Sequence, residues 1–116
     1  MKILIVDDDQ NILRLYKEEL EEEGYQIVTA SNGQEAMDQF EKENPDLVTL
    51  DILLPDVDGI KLLRQMKEKR PRMPVIMSTA YDYRDDFAVW ASEAYIVKSS
   101  DLTELKSAIK KLTEGE

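Results

Sequence analysis

Apolar residues fall along this chain in two alternating rhythms. Five short runs, Ile3–Val6, Ile27–Ala30, Leu47–Leu50, Val75–Ser78 and Tyr95–Val97, are mostly continuous rather than alternating. That pattern suits parallel strands covered on both faces. Between them, apolar positions recur at helical spacing. Ile12, Leu13, Tyr16 and Leu20 mark one face of a first helix that stops near Gly24. Ala36, Met37 and Phe40 mark a second, ending before Asn44 and Pro45, and Ile60, Leu63 and Met66 mark a third, closed by Arg70 and Pro71. Leu102, Leu105, Ile109 and Leu112 mark the last, with Asp101 and Glu104 placed as a capping box. The segment from Tyr83 to Glu93, with Phe87 and Trp90 on its apolar side, has the weakest helical pattern. The tail Thr113–Glu116 is expected to fray.

Strand and helix in alternation imply a parallel sheet with right-handed crossovers and helices on both faces. The predicted fold class is α/β, a doubly wound five-stranded parallel sheet, in one domain spanning residues 1–116. At this length a single core forms without staples.

Composition removes several kinds of chemistry. The chain has no cysteine, so disulfides, thiolate nucleophiles and cysteine metal sites are excluded. It has no histidine either, so zinc ligation by imidazole and phosphohistidine on this chain are excluded as well. A net charge of −10 speaks against direct nucleic-acid binding, which needs clustered Lys and Arg. No apolar run approaches the ~20 residues of a membrane span and no signal-peptide pattern opens the chain, so a cytoplasmic location is expected.

The chemistry gathers where the strands end. In open parallel sheets, ligands bind beyond the carboxyl ends of the strands, where strand order reverses. The first strand runs into Asp7, Asp8 and Asp9, the third into Asp51, the fourth into Ser78 and Thr79, and the fifth into Lys98. The second ends in Ser31, Asn32 and Gly33, ordinary helix-entry chemistry, which places it at the border and gives the order 2-1-3-4-5. Like charges about 5 Å apart repel by roughly 3 kcal/mol at an effective dielectric near 20. Clustered carboxylates at such an edge form a hard oxygen site for Mg2+ or Mn2+, which offsets that repulsion. Asp9 suits the N-cap of the first helix better than a metal. A carboxylate beside the metal can attack a phosphoryl group to give an aspartyl phosphate, with a lysine and a hydroxyl holding the phosphoryl oxygens.

Four motifs carry a resemblance: "IVDDD" at Ile5–Asp9, "VTLDILLPDVDG" at Val48–Gly59, "STA" at Ser78–Ala80 and "AYIVKS" at Ala94–Ser99. Together, and in this order at strand ends, they resemble a two-component response-regulator receiver domain from Lys2 to about Leu112. The resemblance implies a flavodoxin-like (αβ)5 fold with Asp51 as phosphoacceptor. It also implies that Asp7 and Asp8 hold Mg2+ together with Asp51 and the backbone carbonyl of Leu53. Thr79 would hydrogen-bond a phosphoryl oxygen, Lys98 would neutralise its charge, and Tyr95 would be the aromatic that turns inward on activation. Pro55 and Gly59 would shape the loop after the acceptor, while Asp56 and Asp58 would be loop residues without direct chemistry. The implied partners are a sensor histidine kinase or histidine phosphotransfer protein and an unknown downstream protein. The chain itself would be a monomer or a weak phosphorylation-dependent dimer. It would catalyse only its own phosphoryl transfer and autodephosphorylation.

Three features depart from the family pattern. Ser99 follows Lys98 where the family has a cis-bonded proline, and a cis bond without proline costs roughly 2.5–4 kcal/mol. A trans bond or a rearranged loop is therefore expected there. Thr79 and Lys98 are 19 positions apart, nearly one helical turn short, so the helix between strands four and five should be truncated. Leu53 and Tyr81, each two positions past a site residue, are bulky and are expected to shield an aspartyl phosphate from water. Two competing readings are a small phosphohydrolase using Asp7, as in the first motif of haloacid-dehalogenase-type phosphatases, and a receiver-like scaffold that is never phosphorylated.

Overall fold

The computed structural model describes residues 1–79, 94–97 and 102–114. Its elements in chain order are β1 (Lys2–Val6), α1 (Gln10–Glu22), β2 (Gln26–Ala30), α2 (Gly33–Glu43) and β3 (Leu47–Leu50). They continue with α3 (Gly59–Lys69), β4 (Val75–Thr79), β5 (Ala94–Val97) and α4 (Thr103–Glu114). The strands form one parallel sheet in the order β2-β1-β3-β4-β5. This is a doubly wound α/β fold, with β2 at one edge and β1, β3 and β4 inside.

Successive strand residues point to opposite faces, which divides the core into two layers. Leu4, Val6, Val48, Leu50, Val75 and Met77 pack with Phe40 of α2 and with Leu62, Leu63 and Met66 of α3. Ile3, Ile5, Leu47, Ile76 and Ile96 pack on the other face with Leu13, Tyr16 and Leu20 of α1 and with Leu105 and Ile109 of α4. Full burial of such side chains stabilises by about 1.5–3 kcal/mol each, so the sheet is anchored from both sides. One polar pair sits within the second layer, where the Tyr16 hydroxyl and Ser78 Oγ lie 3.2 Å apart, both buried.

Helix ends follow local chemistry. Asp9 caps α1, its Oδ1 accepting from the N–H groups of Asn11 at 2.9 Å and Ile12 at 3.4 Å. After α1, Gly24 takes a φ of +97° and donates to the Glu21 carbonyl, while Tyr25 N–H reaches back to Leu20 O. This is a Schellman closure, which glycine adopts without Cβ strain. Asp58 caps α3 through Ile60 N–H at 2.9 Å.

β1, β2 and β5 each begin one residue earlier than expected, at Lys2, Gln26 and Ala94, and two further boundaries also move. Thr79 is the last residue of β4, level with Val97 of β5, rather than the first residue after the strand. Thr113 and Glu114 belong to α4 instead of a frayed tail, with the Thr113 hydroxyl donating to Ile109 O at 2.8 Å. The expected helix over 83–93 with Phe87 and Trp90 lies outside the described residues, as do Tyr81, Lys98, Ser99 and Asp101. Among the described residues, no helix is long and apolar enough to cross a membrane.

Candidate functional site

Parallel pairing brings the first carboxylates together. β1 and β3 are neighbours with Val6 level with Leu50, so the next residue on each strand, Asp7 and Asp51, emerges side by side. Their backbones continue the ladder for one more step, Asp7 N–H donating to Ala30 O and Asp51 N–H to Val6 O, both at 3.1 Å. Asp7 is 2% exposed and Asp51 4%, whereas Asp8 is open to solvent. One carboxylate oxygen from each of the three lies within 4.8 Å of the others.

The backbone aims two of these groups. Asp9 N–H donates to Asp7 Oδ1 at 2.9 Å, and Leu53 N–H donates to Asp51 Oδ1 at 3.2 Å. Asp9 therefore serves the site indirectly: its side chain starts α1 while its amide holds Asp7. The donor set fits a small hard cation. Octahedral Mg2+ takes bonds of about 2.0–2.1 Å, so opposite ligands stand about 4.2 Å apart. Three carboxylate oxygens within 4.8 Å of one another are of the type and spacing such an ion takes.

The loop after Asp51 is tied back on itself. Gly59 N–H donates to Ile52 O at 2.8 Å, and Leu53 pairs with Asp58 in an antiparallel bridge. Pro55 lies exposed in that loop, and Gly59 is buried at its closing end. Leu53 is 48% exposed, a large apolar side chain left in solvent beside the acidic cluster.

Asp56, expected to be a loop residue without chemistry, has a definite role. Its two carboxylate oxygens accept from Gly33 N–H at 2.7 Å and Gln34 N–H at 3.0 Å, the first donors of α2. Asn32, the N-cap of α2, accepts from Glu35 N–H at 2.8 Å, so the opening turn is fully occupied. The Gly33 amide holds the Asp56 carboxyl below the usual carboxylate range, partly opposed by desolvation. On the same turn, the Ser31 backbone and hydroxyl hold the Glu35 carboxyl low. The signal for Asp56 in the sequence was slight: a glycine at the first position of a helix, which leaves room for another segment.

The remaining expected site residues are placed unevenly. Thr79 ends β4 next to β3, and Tyr95 is the second residue of β5, opposite Met77. Lys98 lies just past β5, outside the described residues.

A sheet of this order with carboxylates converging at its carboxyl edge is the architecture of signalling receiver domains. The family described as the response regulator receiver domain matches residues 3–110, and the chain belongs to that family. Its members are phosphorylation-dependent signalling modules of two-component systems. The chain is 41% identical over 113 residues to sporulation initiation phosphotransferase F of Bacillus subtilis, covering 95% of this chain and 91% of that protein. It is 37% identical to the alkaline phosphatase synthesis transcriptional regulatory protein PhoP of the same species, covering 94% of this chain. It spans about half the length of such transcriptional regulators, 47% in the case of PhoP. Among solved structures, the response regulator TrrA of Thermotoga maritima in complex with Mg2+ and BeF superposes with a TM-score of 0.92. It is 47% identical, covering 96% of this chain and 97% of that one. TrrA in complex with histidine kinase ThkA superposes with a TM-score of 0.91, covering 97% of each chain.

Proposed function

We propose that this chain is a phosphorylation-dependent switch or phosphorelay intermediate in which Asp51 accepts the phosphoryl group. The observation that carries this reading is the convergence of Asp7, Asp8 and Asp51 within 4.8 Å at the carboxyl ends of β1 and β3. Asp7, Asp8, Asp51 and the Leu53 carbonyl are the groups that would hold Mg2+ or Mn2+. When bound, the ion offsets the cluster's negative charge and screens an approaching phosphoryl group. Asp51 acts as nucleophile: its oxygen forms a bond to phosphorus as the bond to the donor nitrogen or acyl oxygen breaks. Thr79 would then donate to a phosphoryl oxygen, Lys98 would neutralise its charge and Tyr95 would report the change on the partner-binding face. Support for these three roles comes from Thr79 as the last residue of β4, Tyr95 as a residue of β5 and Lys98 as the next residue in sequence after β5. Pro55 and Gly59 shape the loop that presents Leu53.

The donor would be a phosphohistidine on a sensor kinase or a phosphotransfer protein, a reading supported by the solved complex of TrrA with histidine kinase ThkA. The chain would act on no substrate other than its own phosphoryl group and would signal by binding a downstream protein. Its place would be the cytoplasm, as a monomer or a weak phosphorylation-dependent dimer, without direct contact to nucleic acid.

The test is chemical. After incubation with Mg2+ and a small acyl phosphate, borohydride reduction converts an aspartyl phosphate to homoserine, which peptide mass spectrometry locates. Conversion is expected at Asp51. Conversion at Asp7 would overturn the reading and favour a phosphohydrolase.

Leu53 adds a kinetic expectation. Its exposed side chain sits two residues past Asp51, where it can keep water from the acyl phosphate. Replacing it with asparagine should speed decay of the phosphorylated state several-fold, on the order of 1 kcal/mol in barrier. Release of inorganic phosphate from purified phosphoprotein measures this, and an unchanged rate would remove Leu53 from the account.

A further inference from the structure

We propose that Asp56 and Val57 are positioning residues that fasten the loop after Asp51 onto the N-terminus of α2 and thereby set the metal affinity of the acidic cluster. The inference rests on the reading of Asp7, Asp8 and Asp51 as the metal site. It adds α2, an element with no ligand of its own, as a determinant of that site.

Two contacts of different kind support the clasp. The first is polar: the Asp56 carboxylate spans the amides of Gly33 and Gln34 at 2.7 and 3.0 Å. These amides carry the positive end of the helix dipole, which favours an anion there. The second is steric. A Cβ at Gly33 would overlap Val57 Cγ1 and stand 3.2 Å from Asp56 Oδ1, so the loop occupies the space that any side chain at Gly33 would need. The helix has surrendered its first side chain to the loop.

The clasp lies close to the chemistry. Asp56 is three residues past Leu53, whose N–H holds Asp51 Oδ1 and whose carbonyl is the proposed backbone ligand. At the base, the loop is closed on β3 by the Gly59–Ile52 hydrogen bond and the Leu53–Asp58 bridge. At the tip it is fixed to a different element. The segment carrying Leu53 is thereby stretched between β3 and α2, and a shift of either moves the Leu53 main chain relative to the Asp51 carboxylate.

Titration of the intact protein with Mg2+ by calorimetry tests the proposal, with circular dichroism and thermal melts to verify folding. Asp56→Ala should weaken Mg2+ binding about tenfold, the lower end of what outer-shell support of a metal site is worth. Asp56→Asn, which keeps one acceptor oxygen, should lose less. Gly33→Ala, which changes no charge, should weaken binding in the same direction. Val57→Ala in the Gly33→Ala background should restore much of the affinity by vacating the space. Affinities within twofold of wild type in folded Asp56→Ala and Gly33→Ala would overturn the clasp. Equal losses in the two Asp56 variants with Gly33→Ala unaffected would overturn it too, reducing Asp56 to a distant charge. Failure of the wild-type chain to bind Mg2+, or wild-type affinity in Asp51→Asn, would instead overturn the metal-site reading.

Discussion

Asp51→Asn is expected to abolish phosphoryl uptake while leaving the fold intact. The substitution is nearly isosteric, and the new carboxamide oxygen still accepts from Leu53 N–H, the bond that now orients Asp51 at 3.2 Å. The site is 4% exposed, so an amide of the same shape keeps the packing between the ends of β1 and β4. What is lost is the anionic oxygen. A neutral amide is a poor nucleophile toward phosphorus, and no neighbouring carboxylate occupies the same position. Incubation with a labelled acyl phosphate should leave the variant unlabelled, and fluoroberyllate should not bind it.

The same variant should also lose its thermal response to metal. A ligand at ten times its Kd stabilises the folded state by about 1.4 kcal/mol. For a domain of this size that corresponds to a melting shift of about 5 °C. The wild-type chain should show this shift with Mg2+ and Asp51→Asn little of it. Labelling that persists in the variant would transfer the nucleophile to another residue, Asp7 first of all. A melting response equal to that of wild type would place the metal elsewhere.

Much of the site was readable from the chain because it depends on strand ends alone. Once β1 and β3 are neighbours in a parallel sheet, equal register carries Asp7 and Asp51 to the same edge without reference to any helix. Asp9 was equally legible, since an N-cap bonds within its own next three residues. Asp56 was not. Its partners, Gly33 and Gln34, are more than twenty residues earlier, at the start of a helix on another strand's connection. Whether that helix starts beside the loop is decided by how α2 packs on the sheet, which no local pattern encodes. Next to Pro55 and Asp58, an aspartate reads as turn chemistry. The Tyr16–Ser78 pair escaped for a related reason. Tyr16 reads as one more apolar position on α1, and only the packing of α1 against β4 brings its hydroxyl to Ser78.

Gly59→Ala should be the most damaging single-methyl change near the site, and its effect should reach the chemistry as well as the fold. Gly59 opens α3 with its amide already bonded to Ile52 O at 2.8 Å. A Cβ there would overlap the Asp51 carbonyl oxygen and stand 2.7 Å from Ile52 Cα and 2.9 Å from Asp51 C. These are main-chain atoms, so no rotamer change relieves the clash. Either the first turn of α3 withdraws from β3, or the peptide after Asp51 moves. The overlap should cost roughly 3 kcal/mol, the upper part of the range for overpacking, and lower the melting temperature by about 10 °C. Displacement of the Asp51 peptide should weaken Mg2+ binding and slow phosphoryl uptake in the protein that remains folded. Gly24→Ala supplies the control. Gly24 has a φ of +97° but nothing within 4 Å of its Cβ position, so that variant carries backbone strain without a clash. It should lose only about 1 kcal/mol and keep wild-type metal affinity, because the end of α1 has no part in the site. If the two glycine variants melt together and bind Mg2+ alike, close approach of α3 to the Asp51 backbone does not govern the geometry of Asp51.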